Sequence, residues 1–543
     1  MRTLISLFCC LWLLTSLAVA EPLPGEIESA EITVPAEPTV ESLLQQLTEA
    51  KLKDTKGILE QLEAKAGEQL LPLFRSLLNG NLYYVKESAQ VVIVNEDDSL
   101  QDALNGTVLA ALPSKAIKKI RVNNPLRSYL RGAISRIQLS ANAPEKRAQA
   151  VRALLSDLDA DTVALISGLR QQETDAGVQD VMDLALALDS LRNQTETGVR
   201  FAAIAQMQDS LEGEVRILLN QVAVDNADKQ VQAAAQKALA AIEQRVEMFA
   251  FIDQLFFGLS LGSVLLLAAI GLAITFGVMG VINMAHGEMI MLGAYTTYVV
   301  QLLMPELIDY SLWVAIPLAF IVSGSVGMLI QRFVIRYLHG RPLETLLATF
   351  GISLVLQQLV RTIFSPLNRQ VATPEWMSGS LEINPVLSLT LNRLYILAFA
   401  LLVFFALQLI LKKTNLGLNV RAVSQNRDMA KAMGIRTDWV DALTFGLGSG
   451  IAGIAGVALS QLTNVGPNLG QAYIIDSFMV VVFGGVGNLL GTLVAAFSLG
   501  IANKFLEPVT GAVLASILVL VFIILFIQKR PKGLFPQKGR AAE

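Results

Sequence analysis

From Gln254 onward this chain of 543 residues alternates long uncharged stretches with short charged ones, and no other property restricts its fold so tightly. The uncharged stretches cover residues 254–287, 289–305, 310–331, 345–360, 394–411, 442–475, 477–503 and 508–528. Most approach the roughly 20 residues that a helix needs to cross a bilayer. In hydrocarbon every backbone N–H and C=O must be satisfied within the protein, which leaves helices as the open-chain solution. The expected fold is therefore all-α, a polytopic membrane protein of about eight to nine transmembrane helices. Eight follows if residues 477–503 make one pass, and nine if their glycines divide them into two.

The apolarity is confined to that part. Residues 21–250 hold 23 Lys/Arg against 33 Asp/Glu, whereas residues 251–543 hold 18 against 13. An acidic soluble portion, residues 39–250, thus precedes a membrane portion, residues 251–543. Residues 1–20 carry Arg2, an apolar run from Leu4 to Leu17 and Ala18-Val19-Ala20, the pattern of a cleaved secretory signal. An uncleaved anchor is the alternative, but the run is short for a span. Cys9 and Cys10 fall inside it, so cleavage would leave no disulfide, thiol nucleophile or Cys-based metal site. Residues 21–38, rich in Pro and Glu, read as a linker.

Residues 39–250 show helical periodicity, with Tyr83 to Val94 as the clearest strand candidate. A repeat is visible at an offset of 53. Val151, Leu154, Leu158, Leu165 and Leu169 match Ile204, Met207, Leu211, Leu218 and Val222, while Val178, Ala185 and Leu186 match Val231, Ala238 and Leu239. This implies stacked helix pairs of the HEAT-like kind in an exported domain. Such a domain would be a docking surface or an acidic spacer. It holds no histidine and no clustered metal ligands, which gives catalysis little support.

Arg332, Arg336 and Arg341, six cations between Lys412 and Arg436, and five between Lys529 and Arg540 make up 14 of the 18 basic residues of the membrane portion. The positive-inside rule places all three segments in the cytoplasm. An exported N-terminus and a cytoplasmic C-terminus require an odd number of crossings, which selects nine.

Two interruptions carry the chemistry. Residues 271–295 break at Asn283, His286 and Glu288, and Gly484, Gly485 and Gly487 with Asn488 interrupt a later stretch. Paired breaks point to a midplane transport site, although glycines also serve close helix packing. Asn283 and His286 can each donate and accept hydrogen bonds to a solute, or merely satisfy the broken backbone. Glu288 and Asp476 flank the breaks, and an intramembrane carboxylate is a functional candidate unless it lies at the interface. Of Gln357 and Gln358, at least one must face another helix or a cavity. His339 sits in a basic loop and is expected to be solvated. Between Thr414 and Gly434, residues Asn426 to Gly434 read as a capped amphipathic helix with a glycine stop, either a partner-docking element or a solvated connector.

INMAHGEMIMLGAY, RAVSQNRDMAKAMGI and FGGVGNLLGTLVAA together resemble the inner-membrane permeases of the branched-chain amino acid ABC transporter family. FGVMGVINMAHGEM with a signal and a long exported extension is similar to the urea-transport permeases of that family, the UrtB type. The resemblance implies an importer of urea, in which a second related permease subunit, ATP-binding cassette ATPase subunits and a periplasmic solute-binding protein are partners. It makes Arg421, Ser424, Asn426, Arg427, Asp428, Ala430, Lys431 and Gly434 the ATPase-coupling loop. It assigns no cofactor, metal or nucleic acid. The chain has no G-x-x-x-x-G-K-[ST] phosphate loop, so hydrolysis falls to another subunit. Rival readings are a permease for branched-chain amino acids or short amides, a stand-alone channel, and a membrane-anchored scaffold.

Overall fold

Short apolar repeats at helical spacing build the N-terminal unit. The computed structural model describes residues 39–95, 99–109, 113, 116–225, 228–338 and 340–535, so the signal, the linker, His339 and the end of the basic tail lie outside it. The chain divides into two units, residues 1–186 and 187–543. In the first, α1 (Val40–Glu49) is capped by the Thr39 hydroxyl, which accepts from the Ser42 amide at 3.3 Å. Helices α2 (Thr55–Ala66) and α3 (Leu71–Asn79) follow. After the sheet come α4 (Asn124–Gln138), α5 (Pro144–Leu154), α6 (Ala160–Arg170) and α7 (Ala176–Asn193). Leu43, Leu47, Leu59, Phe74, Leu82 and Leu130 share one core.

The protein is mostly helical, as expected, but this unit departs from an all-α reading by one antiparallel sheet. Strands β1 (Leu82–Val85), β2 (Val91–Val94), β3 (Leu100–Asp102), β4 (Val108–Leu109) and β5 (Ile117–Lys119) lie in the order β4-β3-β2-β1-β5. Only β1 and β2, within the Tyr83 to Val94 candidate, are apolar enough to show. The other three are two or three residues long, too short for a period of two to register.

Arg147 and Glu173 join α5 to the α6–α7 turn by a bidentate pair at 2.7 and 2.8 Å. The Arg147 guanidinium, with help from the Thr174 and Asp175 amides, lowers the Glu173 carboxyl to about 2. A lowered carboxyl stabilises the fold fully above its unfolded value near 4.5 and loses that contribution as pH falls toward 2. The expected outcome is that Glu173→Gln reduces thermal stability at pH 6 and flattens its decline between pH 5 and pH 3, read by melting the detergent-solubilised protein.

The repeat appears in the helix boundaries. Helices α8 (Thr197–Met207), α9 (Gly213–Val224) and α10 (Lys229–Met279) begin 53 residues after α5, α6 and α7. Val151 and Ile204, Leu154 and Met207, Val178 and Val231, and Ala185 and Ala238 are buried in register, whereas Leu165 is exposed and Leu218 buried. Residue 250, the expected domain boundary, lies inside α10. This 51-residue helix is about 77 Å long at 1.5 Å per residue.

The second unit continues from α10 with α11 (His286–Leu303), α12 (Ile308–Phe333), α13 (Pro342–Phe364), α14 (Leu391–Lys413), α17 (Thr437–Ser460), α18 (Leu469–Gly484), α19 (Leu489–Thr510) and α20 (Ala512–Lys529). Helices α15 (Asn415–Gln425) and α16 (Arg427–Ala432) fill the loop before α17. A two-stranded ribbon, β6 (Ser380–Glu382) and β7 (Ser388–Thr390), lies between α13 and α14. Among the described residues seven helices are long and apolar enough to cross a membrane, against the eight or nine expected. The difference is α11, which has 18 residues and carries Glu288, and α18, which has 16. Each adjoins one of the breaks. Helices α10 and α17 are innermost and mostly buried, while α13, α14 and α20 present apolar side chains such as Leu354, Phe405 and Leu525 outward.

Candidate functional site

Helix α10 stops at Met279 because Gly280 takes a left-handed conformation, φ 67°. Six residues later α11 begins at His286. Within the gap Asn283 accepts from the Ala285 amide at 3.0 Å through Oδ1, and the Met284 amide donates to the Thr349 hydroxyl of α13 at 3.2 Å. Local capping and a neighbouring helix thus supply what the broken helix lacks.

The three polar residues at this break share one property. Asn283, His286 and Glu288 are all buried. His286 Nε2 stands 2.9 Å from the Ala268 carbonyl, which can only accept, so that nitrogen donates and Nδ1 is left as an acceptor. Glu288 Oε1 accepts from Ser353 Oγ at 2.8 Å and Gln357 Nε2 at 2.7 Å. Yet Asn283 Nδ2, His286 Nδ1 and Glu288 Oε2 have no hydrogen-bond partner among the described residues. Residues that only satisfied the break would have both ends occupied, as nearly all buried polar groups do. Asn283 thus keeps a spare donor, and His286 and Glu288 a spare acceptor each, with His286 turned toward α10 and Glu288 toward α13.

Helix α13 supplies the facing wall. Its buried residues Thr345, Thr349, Ser353 and Gln357 recur every four positions and form one polar stripe. Arg361 extends the series and donates to Asn468 Oδ1 at 2.7 Å. Gln357 faces inward while Gln358 is exposed. Sequence reasoning named Gln357 and missed Thr345, Thr349 and Ser353. Their spacing was the available signal, weak because Thr and Ser are unremarkable in membrane helices.

The second break lies between α18 and α19. Gly485 and Gly487 have φ of 104° and 77°, and Asn488 caps α19 by accepting from the Gly491 amide at 3.2 Å. The tail closes over it: the Leu534 and Phe535 amides donate to the Phe483 and Gly484 carbonyls at 2.9 and 3.2 Å, and Asn488 Nδ2 donates to the Phe535 carbonyl at 3.1 Å. The last turn of α10 approaches the second break closely, since a Cβ on Gly277 would lie 2.5 Å from Gly487 Cα. Asn283 lines a cavity of about 140 Å³ with Leu272, Ile474, Ile475 and Phe478, smaller than the roughly 300 Å³ at which drug-sized sites begin. Asp476, half-buried on α18, makes no hydrogen bond to the Glu288 cluster.

The loop before α17 holds two helices where one was expected. Asn426 caps α16 by accepting from the Met429 amide at 2.9 Å, and the chain turns at Gly434, φ 88°. Arg427 pairs with Asp441, which is buried on α17, and Ala430 is buried beside it. Asp428 and Lys431 are exposed, and Met429 and Met433 project with 60% and 78% exposure. A short helix with a bare methionine face, tied by an ion pair to a central helix, suits docking into a cleft. Arg421 and Ser424 lie on α15 and share a cavity of about 360 Å³ with Gly487 and Asn488, so the loop and the second break adjoin.

The family model described as the branched-chain amino acid transport system permease component matches residues 254–527. The chain is 31% identical over 296 residues to the high-affinity branched-chain amino acid transport system permease protein LivH of Salmonella typhimurium, covering 52% of this chain and 95% of that protein. To the corresponding protein BraD of Pseudomonas aeruginosa it is 30% identical over 298 residues, 53% of this chain and 96% of that one. The ribose import permease protein RbsC of Escherichia coli is 26% identical over 203 residues, 35% of this chain and 52% of that one. No solved structure matches.

Proposed function

Since the chain belongs to the branched-chain amino acid transport system permease family, we propose that it pairs with a second related permease subunit to form the passage of an ABC importer for urea. A periplasmic solute-binding protein delivers the solute, and separate ATPase subunits supply the energy. The signal pattern of the sequence supports a periplasmic N-terminus, and the positive-inside rule applied to the basic loops supports a cytoplasmic C-terminus.

The observation that carries the urea reading is the set of orphaned atoms at the first break. Asn283 Nδ2 can donate to a carbonyl, while His286 Nδ1 and Glu288 Oε2 can accept from amide N–H groups. A small neutral diamide, with one carbonyl and four N–H groups, can meet such groups one after another along a passage. Helix α13 offers hydroxyls and an amide along the same seam. Energy enters where the ATPases hold Met429 and Met433. Movement of α16 reaches α17 through Arg427 and Asp441, and reaches the second break through Arg421 and Ser424.

A second reading is favoured by the names of LivH and BraD, which are permeases for branched-chain amino acids. A zwitterion calls for a counter-charge or an open helix end near each of its charged groups. The first break offers the N-terminus of α11 and the Glu288 carboxylate, and Arg361 continues the α13 stripe beside them, so this reading also has its counter-charges.

The test is uptake of labelled urea and labelled leucine at low external concentration, in cells with and without this gene, before and after ATP depletion. Loss of ATP-dependent urea uptake alone is the expected result. Loss of leucine uptake instead would establish the second reading, and no change in either would overturn both.

A further inference from the structure

The cavity of about 360 Å³ beside the second break has a composition that transport of a neutral solute does not require. Its walls are apolar where Ile274, Leu411, Val420 and Leu489 line it, and two cations, Lys412 and Arg421, stand at it without any acidic lining residue. Among the described residues Lys412 has no ion pair, and the Arg421 guanidinium bonds only the Gly417 carbonyl, at 3.3 Å. Two like charges facing one cavity repel unless an anion lies between them.

Position defines the anion further. Lys412 lies in the last turn of α14, a 23-residue apolar helix, and a lysine there sits at the boundary between hydrocarbon and water. The first residues of α19, Leu489 and Leu490, also line the cavity, so the amide end of a 22-residue helix adds partial positive charge. A free inorganic anion would use the cations but not the apolar walls. Basic pockets between membrane helices, continuous with apolar surface, suit lipid headgroups.

We propose that this cavity holds an anionic phospholipid, its phosphate between Lys412 and Arg421 and an acyl chain along Ile274, Leu411 and Leu489. The lipid fills the space between α10, α14, α15 and the second break, and so braces the loop Gly485 to Asn488 against the helix that carries Arg421. This inference rests on the cavity and is independent of which solute is carried.

The experiment is native mass spectrometry of the full-length protein in detergent, titrated with phosphatidylglycerol or phosphatidylcholine. Phosphatidylglycerol is expected to be retained preferentially. Lys412→Gln is expected to weaken that retention about fivefold, the share of one interfacial cation, with Lys412→Arg restoring it. Lys413→Gln is the control, because Lys413 does not line the cavity, and it should leave retention unchanged. Equal retention of the two lipids, or equal effects of Lys412→Gln and Lys413→Gln, would overturn the proposal. Displacement of the lipid by inorganic phosphate would reduce the cavity to a simple anion site and overturn the lipid assignment.

Discussion

Glu288→Leu is expected to lower solute uptake at least about tenfold, while Glu288→Gln keeps the protein assembled near the wild-type level. The leucine removes the acceptor of both Ser353 Oγ and Gln357 Nε2. An orphaned buried donor costs about 1–3 kcal/mol, and interhelical hydrogen bonds in membranes average nearer 0.6 kcal/mol, so the pair loses between about 1 and 6 kcal/mol. Since 1.4 kcal/mol is tenfold in an equilibrium, even the middle of that range detaches α13 from α11 in a large share of molecules. Glutamine retains one carbonyl oxygen in the same place and can accept from both donors, but it replaces the free Oε2 with an N–H. Assembly should therefore survive Glu288→Gln while uptake falls if Oε2 meets the solute. The readout is initial uptake rate beside the melting temperature of the solubilised protein. Full uptake by Glu288→Leu would remove this seam from the pathway and leave Asn283 and His286 as packing.

Most of the membrane fold was legible because its constraint acts on composition, one long uncharged stretch at a time. The break at Asn283 was equally plain, since polar residues within an apolar run have few explanations. What the sequence hid depends on partners distant in the chain. Glu288 reads as a lone carboxylate until α13, 65 residues on, brings Ser353 to it. Asn488 reads as a loop residue until the tail places the Phe535 carbonyl 3.1 Å away. Asp476, named for its proximity to a break in sequence, stands half-buried and makes no hydrogen bond to Glu288. In the N-terminal portion, helices repeat at 53 residues and announce themselves, whereas strands of two or three residues carry no readable period. The expected boundary at residue 250 falls inside α10, which passes through it unbroken because a helix needs no change of backbone to go from a charged to an apolar sequence.

Glycines set the spacing of the inner helices, and from this comes the largest expected structural effect. A Cβ built on Gly293 of α11 would lie 2.5 Å from the Gly453 carbonyl carbon of α17 and still closer to its oxygen. The obstacle is backbone, which cannot turn aside as a side chain would. Helices that touch through glycine gain close van der Waals contact, the main source of association once both surfaces are apolar and lipid is the solvent. Gly293→Leu must push α11 from α17, and overpacking a tight interior costs typically about 1–3 kcal/mol, with the upper part of that range apt where nothing can yield. Gly293→Leu is therefore expected to lose most of the folded protein from the membrane, measured as monodisperse material in size-exclusion chromatography of detergent extracts. Gly351 of α13 provides the comparison, because a Cβ there meets nothing within 4 Å and the residue is exposed. Gly351→Leu removes a poor helix former from an outward face and should accumulate at least as well as the parent. Equal accumulation of the two variants would mean that α11 and α17 do not touch through their backbones.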